Sequence, residues 1–170
     1  MITLPHTGMQ APHNRMRATN LNEVDLDCGV AFTALLCEGA AVVGTIVNEG
    51  QGGPTYLRAA HEAHGAFSAF ATQCRDRHGA PLTEEHVLDN LVDEHEYARQ
   101  IASAERRKRH VVRYFDTADI PTSGTFALRS GRVDYNAAWK AAPRLTAPAG
   151  AVRAEIWMGD DRGWVAFTPA

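Results

Sequence analysis

The sequence NEVDLDCGVAFTALLCEGAAVVGTIVN, residues 22–48, carries the clearest secondary-structure signal in the chain. It is rich in Val, Ile, Phe and Thr, which favour strands, and the Glu-Gly pair at residues 38–39 is a turn signal between two extended runs. In the first run, Val30 and Phe32 would share one face of a strand, whereas Leu35 would lie on the other face. The stretch therefore predicts a β-hairpin with both faces partly covered.

A glycine-rich loop, Asn48 to Pro54, follows the hairpin and leads into a predicted helix. Glycines at such a junction permit positive φ angles, and successive backbone amides can form a nest that binds an anion. The N-terminus of the helix would add a partial positive charge. An arginine in its first turn would neutralise a phosphate or carboxylate, and a tyrosine would stack on a base or sugar. The predicted ligand-binding residues are Asn48, Gly50, Gly52, Gly53, Tyr56 and Arg58.

Neither common nucleotide-binding motif is complete in this loop. It lacks the Lys-Ser/Thr ending of a P-loop, and Thr55 stands where a Rossmann fingerprint requires its third glycine. Glu49 also adds a negative charge beside the supposed anion site. The alternative hypothesis is that the glycines only permit a tight strand-to-helix reversal, with Tyr56 packed beneath it. No cofactor is predicted.

Two helices are predicted after the loop. The first spans residues 57–78, where apolar side chains form one helical stripe that ends at a Gly-x-Pro signal. The second follows an N-cap at Thr83 and extends to about Arg109. Residues 110–117 and 153–167 have strand-like patterns, the latter as a hairpin. These elements predict an α+β fold in which an antiparallel sheet, built from the N-terminal hairpin and C-terminal strands, packs against two helices, the second one long.

Length and composition predict a single domain preceded by an arm. Residues 1–16 lack periodicity and predict a flexible N-terminal arm, and residues 17–170 predict one α+β domain. The formal charge of −3 gives no overall attraction to nucleic acid or to an anionic membrane. Three cysteines without a CxxC pair indicate a reducing compartment. No apolar run approaches the roughly 20 residues that span a bilayer, so a cytoplasmic protein without a membrane partner is predicted.

The pattern Asn48-x-Gly50-x-Gly52-Gly53-x-x-Tyr56 resembles a group of small uncharacterised proteins from phages and prophages. In that group a hairpin leads into an N-x-G-x-G-G loop, and a lysine-rich segment precedes a short strand; here residues 106–115, RRKRHVVRYF, occupy that place. This chain has Pro-Thr where an asparagine or cysteine often stands. That group has no function that can be carried over to this chain. By analogy with phage accessory proteins of this size, we expect a non-enzymatic protein of the host cytoplasm that binds a host protein or sequesters a phosphorylated small molecule or nucleotide, and so counters host defence.

A nucleic-acid-binding module is the first alternative. Its predicted contacts come from a basic run with adjacent aromatic residues, which could bind several phosphates. The same cations would also suit the C-terminal end of a helix that opens with acidic residues, because the helix macrodipole favours this arrangement. The residues of this hypothesis are Arg106, Arg107, Lys108, Arg109 and Arg113.

A metal-dependent hydrolase is the weaker alternative. His61 and His64 would share a helix face, but their spacing is three where the HExxH zinc motif requires four. Three tryptophans, Trp139, Trp157 and Trp164, would serve a homo-oligomer or a partner surface, although core packing would also account for them.

Overall fold

The computed structural model describes residues 1–170. It confirms the predicted α+β class, with antiparallel sheets and three α-helices. The chain forms two compact units, residues 1–97 and residues 98–170, where the sequence predicted one domain after residue 16. The N-terminal and C-terminal strands form two separate four-stranded sheets. The sequence did not predict this separation, because alternating hydrophobicity indicates a strand but not the sheet to which the strand belongs.

Unit 1, residues 1–97, contains a small sheet, a larger sheet and two helices. The larger sheet, sheet 1, has the strand order β3-β4-β5-β6, and every neighbouring pair is antiparallel. The second helix begins in unit 1 and continues into the second unit. The elements are β1 (Ile2–Thr3), β2 (Gln10–Ala11), β3 (Met16–Leu26), β4 (Gly29–Glu38), β5 (Ala41–Asn48), β6 (Tyr56–Ala59), α1 (His61–Ala71) and α2 (Glu84–Arg106).

The predicted hairpin of residues 22–48 is confirmed as β4 and β5, which pair next to the Gly39 turn. The structure adds a further strand before it, because the chain reverses between Leu26 and Gly29. A β-bulge interrupts the β3–β4 pairing between Thr19 and Asn22. Sheet 1 therefore carries a long β3–β4 hairpin whose far end lies beyond this bulge.

The first predicted helix, residues 57–78, is wrong in its first turn. Tyr56–Ala59 instead form β6, and α1 begins only at His61. β6 lies close to β5 because Gly44 has no side chain: a Cβ there would come 2.9 Å from the Leu57 side chain. Leu57 is thereby buried in the core of unit 1. Residues 56–59 thus form a strand because they pair with β5, although their apolar residues have the spacing of a helix.

The predicted flexible arm is packed into unit 1. β1 and β2 pair with each other, and Leu4, Met9 and Ala11 belong to the buried core. The Glu94 carboxylate on α2 accepts hydrogen bonds from the backbone N–H groups of His6 and Thr7, at 3.1 and 2.9 Å. Isolated apolar residues between prolines and glycines show no period, so the sequence pattern did not reveal this packing.

The long helix α2 was predicted well at its start. Thr83 is its N-cap, since its hydroxyl accepts a hydrogen bond from the His86 N–H at 3.2 Å. One face of the helix is buried in unit 1 through Val87, Leu88, Leu91 and Val92. It ends at Arg106, three residues before the predicted end, and Lys108 then adopts a left-handed conformation with φ 58°. None of the three helices has an apolar stretch of membrane-spanning length.

Unit 2, residues 98–170, is built on sheet 2, with the antiparallel order β10-β9-β7-β8. The predicted C-terminal hairpin is confirmed, with Trp157 opposite Trp164. A short helix packs in the core of this unit through Ala138, beside Val112 and Ile156. The elements are β7 (His110–Phe115), β8 (Pro121–Phe126), α3 (Tyr135–Ala141), β9 (Arg153–Trp157) and β10 (Trp164–Phe167).

Candidate functional site

The glycine loop and the tip of the β3–β4 hairpin lie together at one end of sheet 1. Gly50 adopts φ +71°, and a Cβ placed on it would come 2.6 Å from the backbone nitrogen of Ala31. A Cβ on Gly29 would likewise come 2.6 Å from the Gly50 carbonyl oxygen. Such distances show backbone packed directly on backbone, which only glycine permits. Residues 22–30 and 49–54 together are named the hairpin end.

The inner half of the loop is held by side-chain hydrogen bonds. The Asn48 Oδ1 accepts a hydrogen bond from the Gly50 N–H at 2.8 Å, and its Nδ2 donates to the Thr55 Oγ1 at 2.9 Å. Thr55 is only 3% exposed. Both polar ends of the Asn48 amide are thus used inside the protein, which gives this residue a structural role.

The Thr55 hydroxyl also connects the loop to helix α2. Burial raises the pKa of the Asp89 carboxyl, and the nearby Glu85 raises it further, while the hydrogen bond from Thr55 opposes both effects. Asp89 is partly buried, and the Thr55 hydroxyl donates a hydrogen bond to its carboxylate. Hydrogen bonds therefore connect the loop, through Asn48 and Thr55, to helix α2.

The outer half of the loop is open. Nothing lies within 4 Å of the Cβ position of Gly52 or Gly53, and both residues are exposed. Beside them the Tyr56 hydroxyl donates a hydrogen bond to Glu49 Oε1 at 3.1 Å, and Arg58 donates to the Tyr56 hydroxyl oxygen at 3.4 Å. A ligand could therefore contact these outer residues, whereas Asn48 and Gly50 face inward.

The predicted anion site depended on a strand, a loop and a helix following one another in that order, and this prediction is wrong. The loop joins two antiparallel strands, β5 and β6, instead of a strand and a helix. No helix N-terminus follows it directly, because α1 begins at His61 and not in the loop. The helix macrodipole therefore no longer supports anion binding here, and Arg58 lies on a strand rather than in a first helical turn.

The hairpin tip exposes large aliphatic side chains that the sequence interpretation missed. Val24, Leu26 and Val30 are 59%, 38% and 46% exposed. The strand register places Val24 opposite Ala31 and Asp25 opposite Val30, so Val24 and Leu26 lie on one face and Val30 on the other. Acidic and aliphatic residues alternate strictly in β3, and this pattern indicates a strand. That the strand is separate from β4 and lies at an edge became clear only from the turn before Gly29.

The basic run is not gathered on one surface. Arg109 donates to the Thr125 hydroxyl and carbonyl oxygens at 2.8 Å each, and Arg113 forms an ion pair with Glu155 at 2.7 Å. Both cations are thus engaged within unit 2. The exposed members are Arg106, Arg107 and Lys108, at the C-terminal end of α2.

The two candidate metal ligands lie in the first turn of α1. His61 is its first residue and His64 follows three residues later, and both are exposed. The structure contains no group of three or more His, Cys, Asp or Glu side chains arranged to hold a metal ion.

A cleft of about 420 Å³ lies wholly in unit 2. It is lined in part by Glu105, Tyr135, Trp157, Asp160 and Asp161. The Tyr135 hydroxyl donates a hydrogen bond to Glu105, and burial together with this bond raises the pKa of Tyr135, so the phenol stays protonated. Three carboxylates, those of Glu105, Asp160 and Asp161, line the cleft with one cation, Arg162, so its net charge is acidic and unsuited to a phosphate.

A comparison of the chain with protein-family models, curated proteins and solved structures found no match. The geometry of this chain is therefore the basis for inferring its function. The exposed apolar side chains and three of the predicted site residues, Gly50, Gly52 and Gly53, belong to the hairpin end.

Proposed function

We propose that this chain is a non-enzymatic binding protein of phage or prophage type, and that it binds a host protein through the hairpin end. The observation that carries the proposal is the exposure of Val24, Leu26 and Val30 on one ordered hairpin. Val24 and Leu26 lie on the same face of β3, and exposed apolar groups that cluster in this way are typical of interaction surfaces. The resemblance to phage proteins suggests the biological role, which is interference with a host process such as antiviral defence.

The hairpin end is also pre-organised for binding. The packing of Gly50 on Ala31 and the hydrogen bonds of Asn48 fix the loop against the hairpin before any partner arrives. A fixed surface loses less conformational entropy on association than a mobile one. An ordered and partly apolar surface therefore favours a macromolecular partner over a catalytic role.

The test is a pull-down from host-cell extract with matched variants. The Val24→Ser, Leu26→Ser double variant removes the apolar side chains from one face of the tip without changing its charge, and Val42→Ser is the control, because Val42 is 58% exposed at the opposite end of sheet 1. We expect the wild type and the control to recover the same specific protein, and the tip variant to recover at least tenfold less. Equal recovery by all three proteins, or recovery of no protein, would contradict the proposal.

Cys28 provides an independent readout at the same place. It is exposed at the hairpin turn, with its Sγ 3.5 Å from the Gly50 carbonyl oxygen. Cys37 and Cys74 are buried, and burial raises the pKa of the Cys74 thiol to about 11, so native alkylation should be confined to Cys28. A bound partner should slow the iodoacetamide labelling of Cys28; unchanged labelling in the complex would place the partner elsewhere.

Sequestration of a phosphorylated small molecule is the second candidate. The observation in its favour is that Gly52 and Gly53 have open surroundings and Arg58 is exposed on the neighbouring strand. Calorimetric titration with a nucleoside diphosphate should then show binding that Arg58→Ala weakens and Arg15→Ala leaves unchanged. An absence of heat with the wild type would remove this candidate without affecting protein binding.

A further inference from the structure

We propose that the partner adds a β-strand to the exposed half of β3, residues 22–26, and that this strand alternates basic with aliphatic residues. The inference rests on the proposed function and specifies its partner. β3 is an edge of sheet 1, since the strand order is β3-β4-β5-β6. The backbone groups of an edge strand that point away from the sheet are a template for another strand.

The exposed half of β3 differs from the half that precedes it. Met16, Ala18 and Leu21 are buried in the core of unit 1, whereas all five residues from 22 to 26 are exposed. The change occurs at the bulge between Thr19 and Asn22, where Asn20 adopts φ 49°. A bulge alters the twist of the strand at such a point. Residues 22–26, called the ribbon below, are therefore exposed beyond the bulge and keep their pairing with β4.

The two faces of this ribbon have different chemistry. Val24 and Leu26 lie on one face, and Asp25 lies on the other with the side chain of Glu23, because neighbouring residues of a strand alternate between faces. Asp27 adds a third acidic group at the turn. An incoming strand would thus meet aliphatic groups on one face and carboxylates on the other.

These charges disfavour a second copy of the chain as the occupant. Antiparallel self-pairing centred on Asp25 would place two Asp25 side chains opposite each other, and pairing centred on Val24 would place Glu23 opposite Asp25. Like charges directly opposite in a sheet are destabilising, and opposite charges are favourable. The complementary strand therefore has Lys or Arg opposite Asp25 and an aliphatic residue opposite Val24.

The first experiment uses synthetic peptides with blocked ends as probes. A heptapeptide of alternating Lys and Val is compared with a Glu/Val peptide and with a Lys/Val peptide in which two valines are replaced by proline. The proline peptide keeps the positive charge but cannot form a regular strand. We expect the Lys/Val peptide to bind at least tenfold more tightly than either control and to slow amide hydrogen exchange in residues 22–26. Equal binding of the proline peptide would overturn strand addition, because only charge attraction would remain.

The second experiment exchanges the charges. The Glu23→Lys, Asp25→Lys variant should lose the Lys/Val peptide and gain the Glu/Val peptide. Glu62→Lys with Asp161→Lys is the control, since it changes the net charge equally at exposed positions elsewhere. Asp25→Lys alone, with its fold checked by circular dichroism, gives the same readout if the double variant does not fold. Unchanged peptide preference in a folded variant would overturn the proposal.

The two proposals fail in different ways. If the Val24→Ser, Leu26→Ser variant loses the host protein but the charge exchange leaves the peptide preference unchanged, host-protein binding stands and strand addition fails. If the Lys/Val peptide binds as expected and no host protein is recovered, strand addition stands and the proposed function fails. A dimer held together by β3 edges, seen by native mass spectrometry and by protected exchange in residues 22–26 of the protein alone, would overturn the choice of a basic partner.

Discussion

The glycine loop has two halves, and both contain glycine but use it in opposite ways. In the inner half, Asn48 and Gly50 are bound to the rest of unit 1, one by side-chain hydrogen bonds and the other by backbone packing on β4. In the outer half, Gly52 and Gly53 touch nothing within 4 Å of their Cβ positions. A run of glycines is therefore not one functional motif, since steric need applies to one half only.

The difference between the two halves separates residues that stabilise the fold from residues that are open to a partner. A glycine that packing requires cannot be changed without loss of stability, whatever the protein binds. A glycine that neither packing nor a positive φ angle requires can be changed to test binding alone. The free energies of unfolding of single variants measure the difference between the halves.

Gly50→Ala should be the most destabilising change in the loop. The left-handed conformation at φ +71° costs alanine ~1–2 kcal/mol, and the contact of its Cβ with the Ala31 backbone adds a further ~1–3 kcal/mol. Urea unfolding of both proteins measures the sum. Gly39→Ala is the matched control, since Gly39 has φ +60° and nothing within 4 Å. If the two variants lose equal stability, the close packing of Gly50 on β4 is refuted.

Thr55→Val should have the next largest effect. The valine keeps the shape of the buried side chain but leaves the Asn48 amide and the Asp89 carboxylate without their shared partner. Loss of a buried hydrogen bond that leaves its partners unsatisfied costs ~1–3 kcal/mol. Thr33→Val, at an exposed position of β4, is the control and should change stability little. An equally small effect at Thr55 would show that the inner half is not held by this network.

Asp89 gives the inner half a pH dependence of known sign. Burial raises its folded-state pKa above the ordinary value of 3.8, so the folded protein binds the proton more tightly than the unfolded chain does. The resulting penalty is complete above the folded pKa and disappears as the pH falls toward 3.8. Relative to Asp89→Asn, the wild type should therefore gain stability on acidification through that interval. A constant difference in unfolding free energy across the same interval would contradict the raised pKa.

The sequence predicted the outline of this region better than its details. It located the hairpin, the loop and the start of α2 correctly, because alternation and an N-cap at Thr83 are local signals. It misassigned Leu57, whose helical spacing was overridden by pairing of β6 with β5. Gly44 permits that pairing, but its role depends on contact with a residue 13 positions later. Such contacts between distant residues leave no local pattern.

The candidate site was only half predictable for the same reason. The six predicted residues are neighbours in sequence, yet Asn48 and Gly50 face the protein while Gly52, Gly53, Tyr56 and Arg58 face outward. Gly50 is the glycine that packs closely, because the backbone of Ala31, a residue of another strand, lies against it. The exposed apolar tip was missed because an alternating acidic and aliphatic run looks the same whether its aliphatic face is covered or open. Only the sheet order showed that β3 is an edge.

Gly53→Ala should be the mildest change and the sharpest test of the outer half. Gly53 is not in the left-handed region and its Cβ position is open, so alanine should leave the unfolding free energy unchanged or raise it by ~0.4–1 kcal/mol through the unfolded state. Gly52→Ala, at φ +81°, should cost ~1–2 kcal/mol for its conformation alone. Gly53→Ala is therefore a folded protein altered only at the surface. If it still recovers the host protein fully, the partner contacts the hairpin tip and not the loop; reduced recovery at unchanged stability would extend the binding surface across the open glycines.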